Sequence, residues 1–126
     1  MTQDPLLVKA RALSRARNYP AAINVFEELL AIDPDSVDAR EGLAMTCFAA
    51  GDLAAAAENF EKITLLQPLE ARHYVNWGAV LNRQGKHKDA AEILRRAIQR
   101  NRRSADAYYN LGIAQRNLKQ PSMAVS

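Results

Sequence analysis

The sequence predicts an all-α chain made by repeating one helical hairpin, and three observations carry that prediction. A spacing of 34 residues recurs: Ala22–Phe26, Ala56–Phe60 and Ala90–Leu94 each set an alanine four residues ahead of a bulky apolar side chain, and Ala124 falls on the next step. Pro34 and Pro68, Gly51 and Gly85, and Gly78 and Gly112 keep the same interval, so independent position classes agree on one period. The segments between the breakers carry apolar residues at helical spacing. Aromatics make up only 6% of the 126 residues, whereas alanine is abundant, which suits closely packed helices better than an aromatic-rich β core.

A period of this length holds two helices of about a dozen residues and two short turns. The repeats are expected over about 3–36, 37–70 and 71–104, with a fourth from 105, together forming one domain over 1–126. In each, a first helix (A) and a second helix (B) present an apolar stripe. Along the A helices the stripe reads Leu6, Ala10 and Leu13; Leu43, Ala44 and Cys47; Tyr74, Trp77, Gly78 and Leu81; and Tyr108, Leu111 and Gly112. Along the B helices it reads Ile23, Phe26, Leu29 and Leu30; Ala56, Phe60 and Ile63; and Ala90, Leu94 and Ala97.

The boundaries follow from backbone chemistry. Pro5 after Asp4 opens the first A helix, while Pro20 and Pro121 are placed as first-turn prolines of B helices, where the missing N–H costs nothing. Ser36 and Ser104 are expected to cap A helices, with Asp38 and Asp106 reinforcing the first turn. Gly51 and Gly85 should end A helices in a left-handed turn. Gly78 and Gly112, like Ala10 and Ala44 at the same station, should mark close approach of helix A to the B-helix alanines 22, 56, 90 and 124. A large side chain there would cost about 1–3 kcal/mol.

At this point the chain resembles the tetratricopeptide repeat family, whose signature is an aromatic, then Leu-Gly and Tyr, later Ala-x-x-x-Phe and a closing Pro. Repeat 3 reads Tyr74-x-x-Trp77-Gly78-x-x-Leu81, then Ala90-x-x-x-Leu94; repeat 4 reads Tyr108-x-x-Leu111-Gly112; repeat 2 supplies Leu43-Ala44, Gly51, Ala56, Phe60 and Pro68. Arg102 replaces the closing proline of repeat 3, Gln115 stands at a core station of repeat 4, and Lys9 at an apolar station of repeat 1. Repeat 4 reaches only Ser126, so the sequence reads as part of a longer solenoid, and its C-terminal end as a surface for self-association.

The resemblance implies a right-handed superhelix whose A helices line a concave groove. Carried over position by position, the groove takes Arg11 and Arg15 from repeat 1, Met45 and Phe48 from repeat 2, Val75, Asn76, Asn82 and Arg83 from repeat 3, and Tyr109, Asn110 and Arg116 from repeat 4. Met45, Phe48, Val75 and Tyr109 are apolar side chains with no evident partner inside their hairpins and are expected to form ligand pockets. Asn76 and Asn110 share one station, and an amide that both donates and accepts suits an extended peptide backbone. Arginines 11, 15, 83 and 116 favour an acidic or carboxylate-bearing partner. The clamp by which some relatives hold chaperone tails needs Lys and Asn at stations occupied here by Leu7, Arg11 and Gly42, which disfavours that role.

No catalytic or metal-ligating constellation is evident, and neither a cofactor nor a metal is expected. His73 and His87 are read as surface or half-buried residues of different hairpins, and Cys47 as a core thiol. The dispersed glycines make no phosphate-cradling loop. Trp77, Tyr74 and Tyr108 fall on core stations, which opposes a base-stacking platform. Seventeen Lys and Arg against fourteen Asp and Glu do not by themselves imply nucleic acid, and the cluster Arg95, Arg96, Arg100, Arg102 and Arg103 is read first as a solvated helix face. A lone cysteine requires no oxidising compartment, and charges interrupt the N-terminal stretch, so the chain is read as cytoplasmic, without a membrane span. The expected function is a non-catalytic scaffold that binds a protein or peptide in the concave groove. The alternative is the docking or regulatory end of an enzyme whose catalytic domain lies beyond Ser126, as in glycosyl- and sulfotransferases of similar design. RNA binding, as in related 35-residue helical repeats, is opposed by the 34-residue spacing and the signature.

Overall fold

The computed structural model describes residues 4–119; Pro121, Ala124 and the self-association expected of the C-terminal end lie outside the described residues. Seven helices occur among the described residues: α1 (Pro5–Arg15), α2 (Tyr19–Ile32), α3 (Val37–Ala50), α4 (Leu53–Leu66), α5 (Ala71–Arg83), α6 (His87–Arg100) and α7 (Ala105–Lys119). No strand is present among those residues. The helices fall into two compact units, residues 1–66 with α1–α4 and residues 67–126 with α5–α7. In both, successive helices pack as hairpins, and alternate A helices also touch, α1 against α3 and α5 against α7. None of the helices is long and apolar enough to cross a membrane.

The helices begin and end where local chemistry directs. The Asp4 carboxylate accepts from the Leu6 N–H at 2.8 Å, with Pro5 opening α1. The Ser36 and Ser104 hydroxyls accept from the Ala39 and Ala107 N–H groups, each at 3.2 Å. Asp52 does the same for α4, accepting from the Ala55 N–H at 3.1 Å, a cap the repeat pattern did not single out. Gly51 and Gly85 take φ of 88° and 78°, as a left-handed turn requires. One period earlier, Arg17 adopts φ of 66° at the same station. The hairpin turn therefore holds its left-handed geometry even where a side chain opposes it, at a cost of about 1–2 kcal/mol.

In residues 1–66, Phe26, Phe60 and Ile63 are sealed, and so are the small residues Ala10, Ala22, Ala44 and Ala56 on the helices of this unit, as close packing of helices requires. Gly42 adds a close approach not expected from the period: a Cβ there would run into the Phe26 ring, which carries α3 onto α2. In residues 67–126, Tyr74, Leu81, Ala90, Leu94 and Ala97 form the core with Ala107 and Ala114 of α7, and Trp77 and Leu111 pack at its edge. A Cβ at Gly78 would lie 2.5 Å from Leu94 Cγ, the expected A–B contact. At Gly112 an added Cβ would meet nothing within 4 Å among the described residues, and its expected partner, Ala124, lies outside them.

Tyr108 remains 49% exposed at the station that Arg40 and Tyr74 hold in the two preceding repeats. Arg40 Nη2 donates to the Pro34 carbonyl at 3.1 Å, and the Tyr74 hydroxyl donates to the Pro68 carbonyl at 2.8 Å. Arg100 reinforces Tyr74, donating from Nε to that carbonyl at 2.7 Å and stacking 4.5 Å above the ring. Tyr108 follows Arg102 instead of a proline and makes no such bond among the described residues.

Candidate peptide-binding walls on the A helices

Each unit presents a wall made of two A helices. In residues 1–66 the wall is α1 and α3, joined by Ser14 Oγ and Thr46 Oγ1 at 3.0 Å; the Thr46 hydroxyl also donates to the Gly42 carbonyl at 2.7 Å. Arg11 lies 3.9 Å from Asp38 across the same seam. In residues 67–126 the wall is α5 and α7, joined by Asn82 Nδ2 donating to the Asn110 carbonyl at 2.9 Å. Asn82 Oδ1 faces His87 Nδ1 at 2.9 Å, so one amide ties α5 to both α6 and α7.

The same hollow appears in both walls, at the N-terminus of the later A helix. In the first unit it has about 280 Å³ and is lined by Leu7, Arg11, Leu29, Ser36 and Asp38 among others. In the second it has about 150 Å³ and is lined by Arg72, Val75, Asn76, Asn101, Ser104 and Asp106 among others. Leu7 and Val75, Ser36 and Ser104, and Asp38 and Asp106 are separated by two whole periods, so the hollow is a property of the repeat.

The sequence-selected residues separate into three groups. Met45 and Tyr109 are exposed, at 50% and 69%, and Phe48 is half-buried on the same helix as Met45. Arg15, Arg83 and Arg116 are exposed, whereas Arg11 is half-buried beside Asp38. Val75 is in the core rather than unpartnered, because it is 8% exposed in the cluster that holds Leu94 and Ala107, and it also lines the second hollow. Asn82 serves as the bracket described above. Asn110 spends its side-chain N–H on the Asp106 carbonyl at 2.9 Å, while Asn76, half-buried, lines the hollow.

Two sequence readings are corrected. His73 and His87 belong to one hairpin, α5–α6, and His73 is fully buried, with Nε2 2.7 Å from Gln67 Oε1. It occupies the station of Ala39 and Ala107, and the missing signal was that a hydrogen-bonded imidazole can fill a slot that alanine fills elsewhere. Cys47 is buried, and burial first, then Asp52 and Glu27, raise its thiol above its ordinary range. Among the described residues no group of His, Cys, Asp and Glu is placed to hold a metal ion.

A family model described as Tetratricopeptide repeat matches residues 7–68 and 75–124. The chain belongs to the tetratricopeptide repeat family. Among solved structures, MamA matches with a TM-score of 0.83 at 25% identity, over 94% of this chain and 67% of that one. The O-GlcNAc transferase of Thermobaculum terrenum matches with a TM-score of 0.74 at 25% identity, over 90% of this tetratricopeptide repeat chain and 23% of the transferase. The first tetratricopeptide repeat domain of Spaghetti (RPAP3), bound to the HSP90 peptide SRMEEVD, matches with a TM-score of 0.83 at 18% identity over 90% of each chain, which shows the fold alone. No curated protein matches the sequence.

Proposed function

We propose that this tetratricopeptide repeat chain is a protein-interaction scaffold whose A-helix walls bind an extended, acidic peptide segment. The observation that carries the reading is the repeated hollow, lined by polar residues at a helix N-terminus together with an apolar side chain, Leu7 in one unit and Val75 in the other. Beside these hollows the walls expose Met45 and Tyr109, apolar groups able to gain from burial, at about 25 cal/mol per Å². The hollows themselves carry mixed charge, so the acidic preference rests on Arg15, Arg83 and Arg116 on the exposed wall. The RPAP3 domain, bound to a peptide ending in EEVD, offers a fold-level analogy for such a ligand.

A displayed library of acidic peptides, selected on the purified protein, tests the reading. Arg83→Glu or Arg116→Glu should weaken a selected peptide by about tenfold or more, and added salt should weaken it further. Arg96→Glu, on the outer face of α6, should change binding little. The opposite order would place the binding surface on the B helices and sink the proposal.

A further inference from the structure

The outer faces of the B helices, away from the walls, show the largest difference between the two units. Residues 1–66 hold ten Asp and Glu against six Lys and Arg, and residues 67–126 hold four against eleven. The overall +3 therefore joins a unit of −4 to a unit of +7. The reversal falls on equivalent stations. Steps of 34 residues give Glu27, Glu61 and Arg95; Glu28, Lys62 and Arg96; Pro34, Pro68 and Arg102; and Asp35, Leu69 and Arg103.

These side chains are available. Glu27, Glu28, Asp33 and Asp35 are exposed on and just after α2, and Arg95, Arg96, Arg102 and Arg103 are exposed on and just after α6. Of the eight, only Arg96 makes an ion pair among the described residues, with Glu92 at 3.2 Å. On α4, between them in sequence, Lys62 pairs with Glu58 at 3.3 Å and the face carries both signs. Ile32, 75% exposed at the end of α2, supplies apolar surface beside the acidic group.

We infer that the acidic face of α2 in one copy of this chain docks on the basic face of α6 in a second copy. The occupant is a second copy because the chain carries both signs on helices of the same repeat geometry. Glu27, Glu28 and Asp35 are therefore spaced on and just after α2 as Arg95, Arg96 and Arg103 are on and just after α6. Complementary rows of equal spacing give register as well as attraction, and a contact between two different patches links copies head to tail or closes a ring. This contact is independent of the A-helix walls and of any peptide they hold.

Sedimentation velocity of the full chain tests it. At low ionic strength, where the screening length is about 30 Å, the protein should associate with rising concentration; in 1 M salt, where it is about 3 Å, it should be monomeric. Reversing the acidic face (Glu27→Arg, Glu28→Arg, Asp35→Arg) or the basic face (Arg95→Glu, Arg96→Glu, Arg103→Glu) should each weaken association by about tenfold or more. Combining all six substitutions restores the net charge and exchanges the signs, and should restore association. Arg15→Glu, Arg83→Glu and Arg116→Glu together should weaken it less than either B-face reversal, and circular dichroism checks that every variant is folded. Three results overturn the proposal: a wild-type chain that stays monomeric at low salt, a six-fold exchange that does not restore association, or equal loss on reversing the wall. A monomeric chain that binds heparin through α6 would instead make that face a polyanion surface.

Discussion

The two units solve one problem, holding neighbouring A helices together, with different chemistry. In residues 1–66 a hydroxyl pair, Ser14 and Thr46, spans α1 and α3. In residues 67–126 the Thr46 station two periods on holds Ala114, fully buried, and the Ser14 station holds Asn82, which reaches the Asn110 backbone and His87 instead. The period fixes where the helices meet, whereas the residues that join them are free to change. Asparagines in the second unit that look like peptide hooks are thus partly engaged within the fold. Asn76, half-buried, lines the hollow.

The largest expected effect tests the shared part of the design. Ala56 is sealed and Ala54 is exposed on the same helix, so Ala56→Leu should destabilise by about 1–3 kcal/mol and Ala54→Leu by less than about 0.5 kcal/mol. Equal shifts in melting temperature would mean the hairpin register is wrong. Gly78→Ala presses on Leu94 and should lose about 1 kcal/mol or more, a loss that urea melts of the variant read directly.

The seams should differ more modestly. Asn82→Ala removes two hydrogen bonds and Ser14→Ala one, so at about 1 kcal/mol per bond the second seam should lose more. The smallest effect concerns Cys47. Its folded thiol is raised above the ordinary value of 9.0, chiefly by burial, so the stabilising neutral form is complete below that pH. Stability should fall as pH rises through the folded value, and thiol labelling below pH 9.0 should need unfolding. Fast labelling of the folded chain near neutrality would contradict the burial.

Much of the fold was legible because repetition converts weak local signals into strong ones. Ala22, Ala56 and Ala90 at one interval mean more together than any one alanine, and Gly51 with Gly85 located the left-handed turns. What the period hid were substitutions that keep the geometry and change the chemistry. Arg17 takes the glycine turn, His73 an alanine slot, and Gly42 a contact with Phe26 at a station where the next two repeats carry asparagine. The site was less legible. Exposure at Met45 and Tyr109 followed from their stations, but the burial of Val75 and the bracket made by Asn82 depend on neighbours in other helices, which spacing along one helix does not encode.

The most direct test of the central claim is amide chemical-shift mapping of the isotope-labelled protein with a selected acidic peptide, at an ionic strength that keeps copies of the chain apart. Binding on the walls should move resonances in α3 around Met45 and in α7 around Tyr109, together with residues rimming the two hollows, Asp38 and Asp106 among them. Shifts confined to the outer faces of α2 and α6, with Met45 and Tyr109 unmoved, would contradict the account.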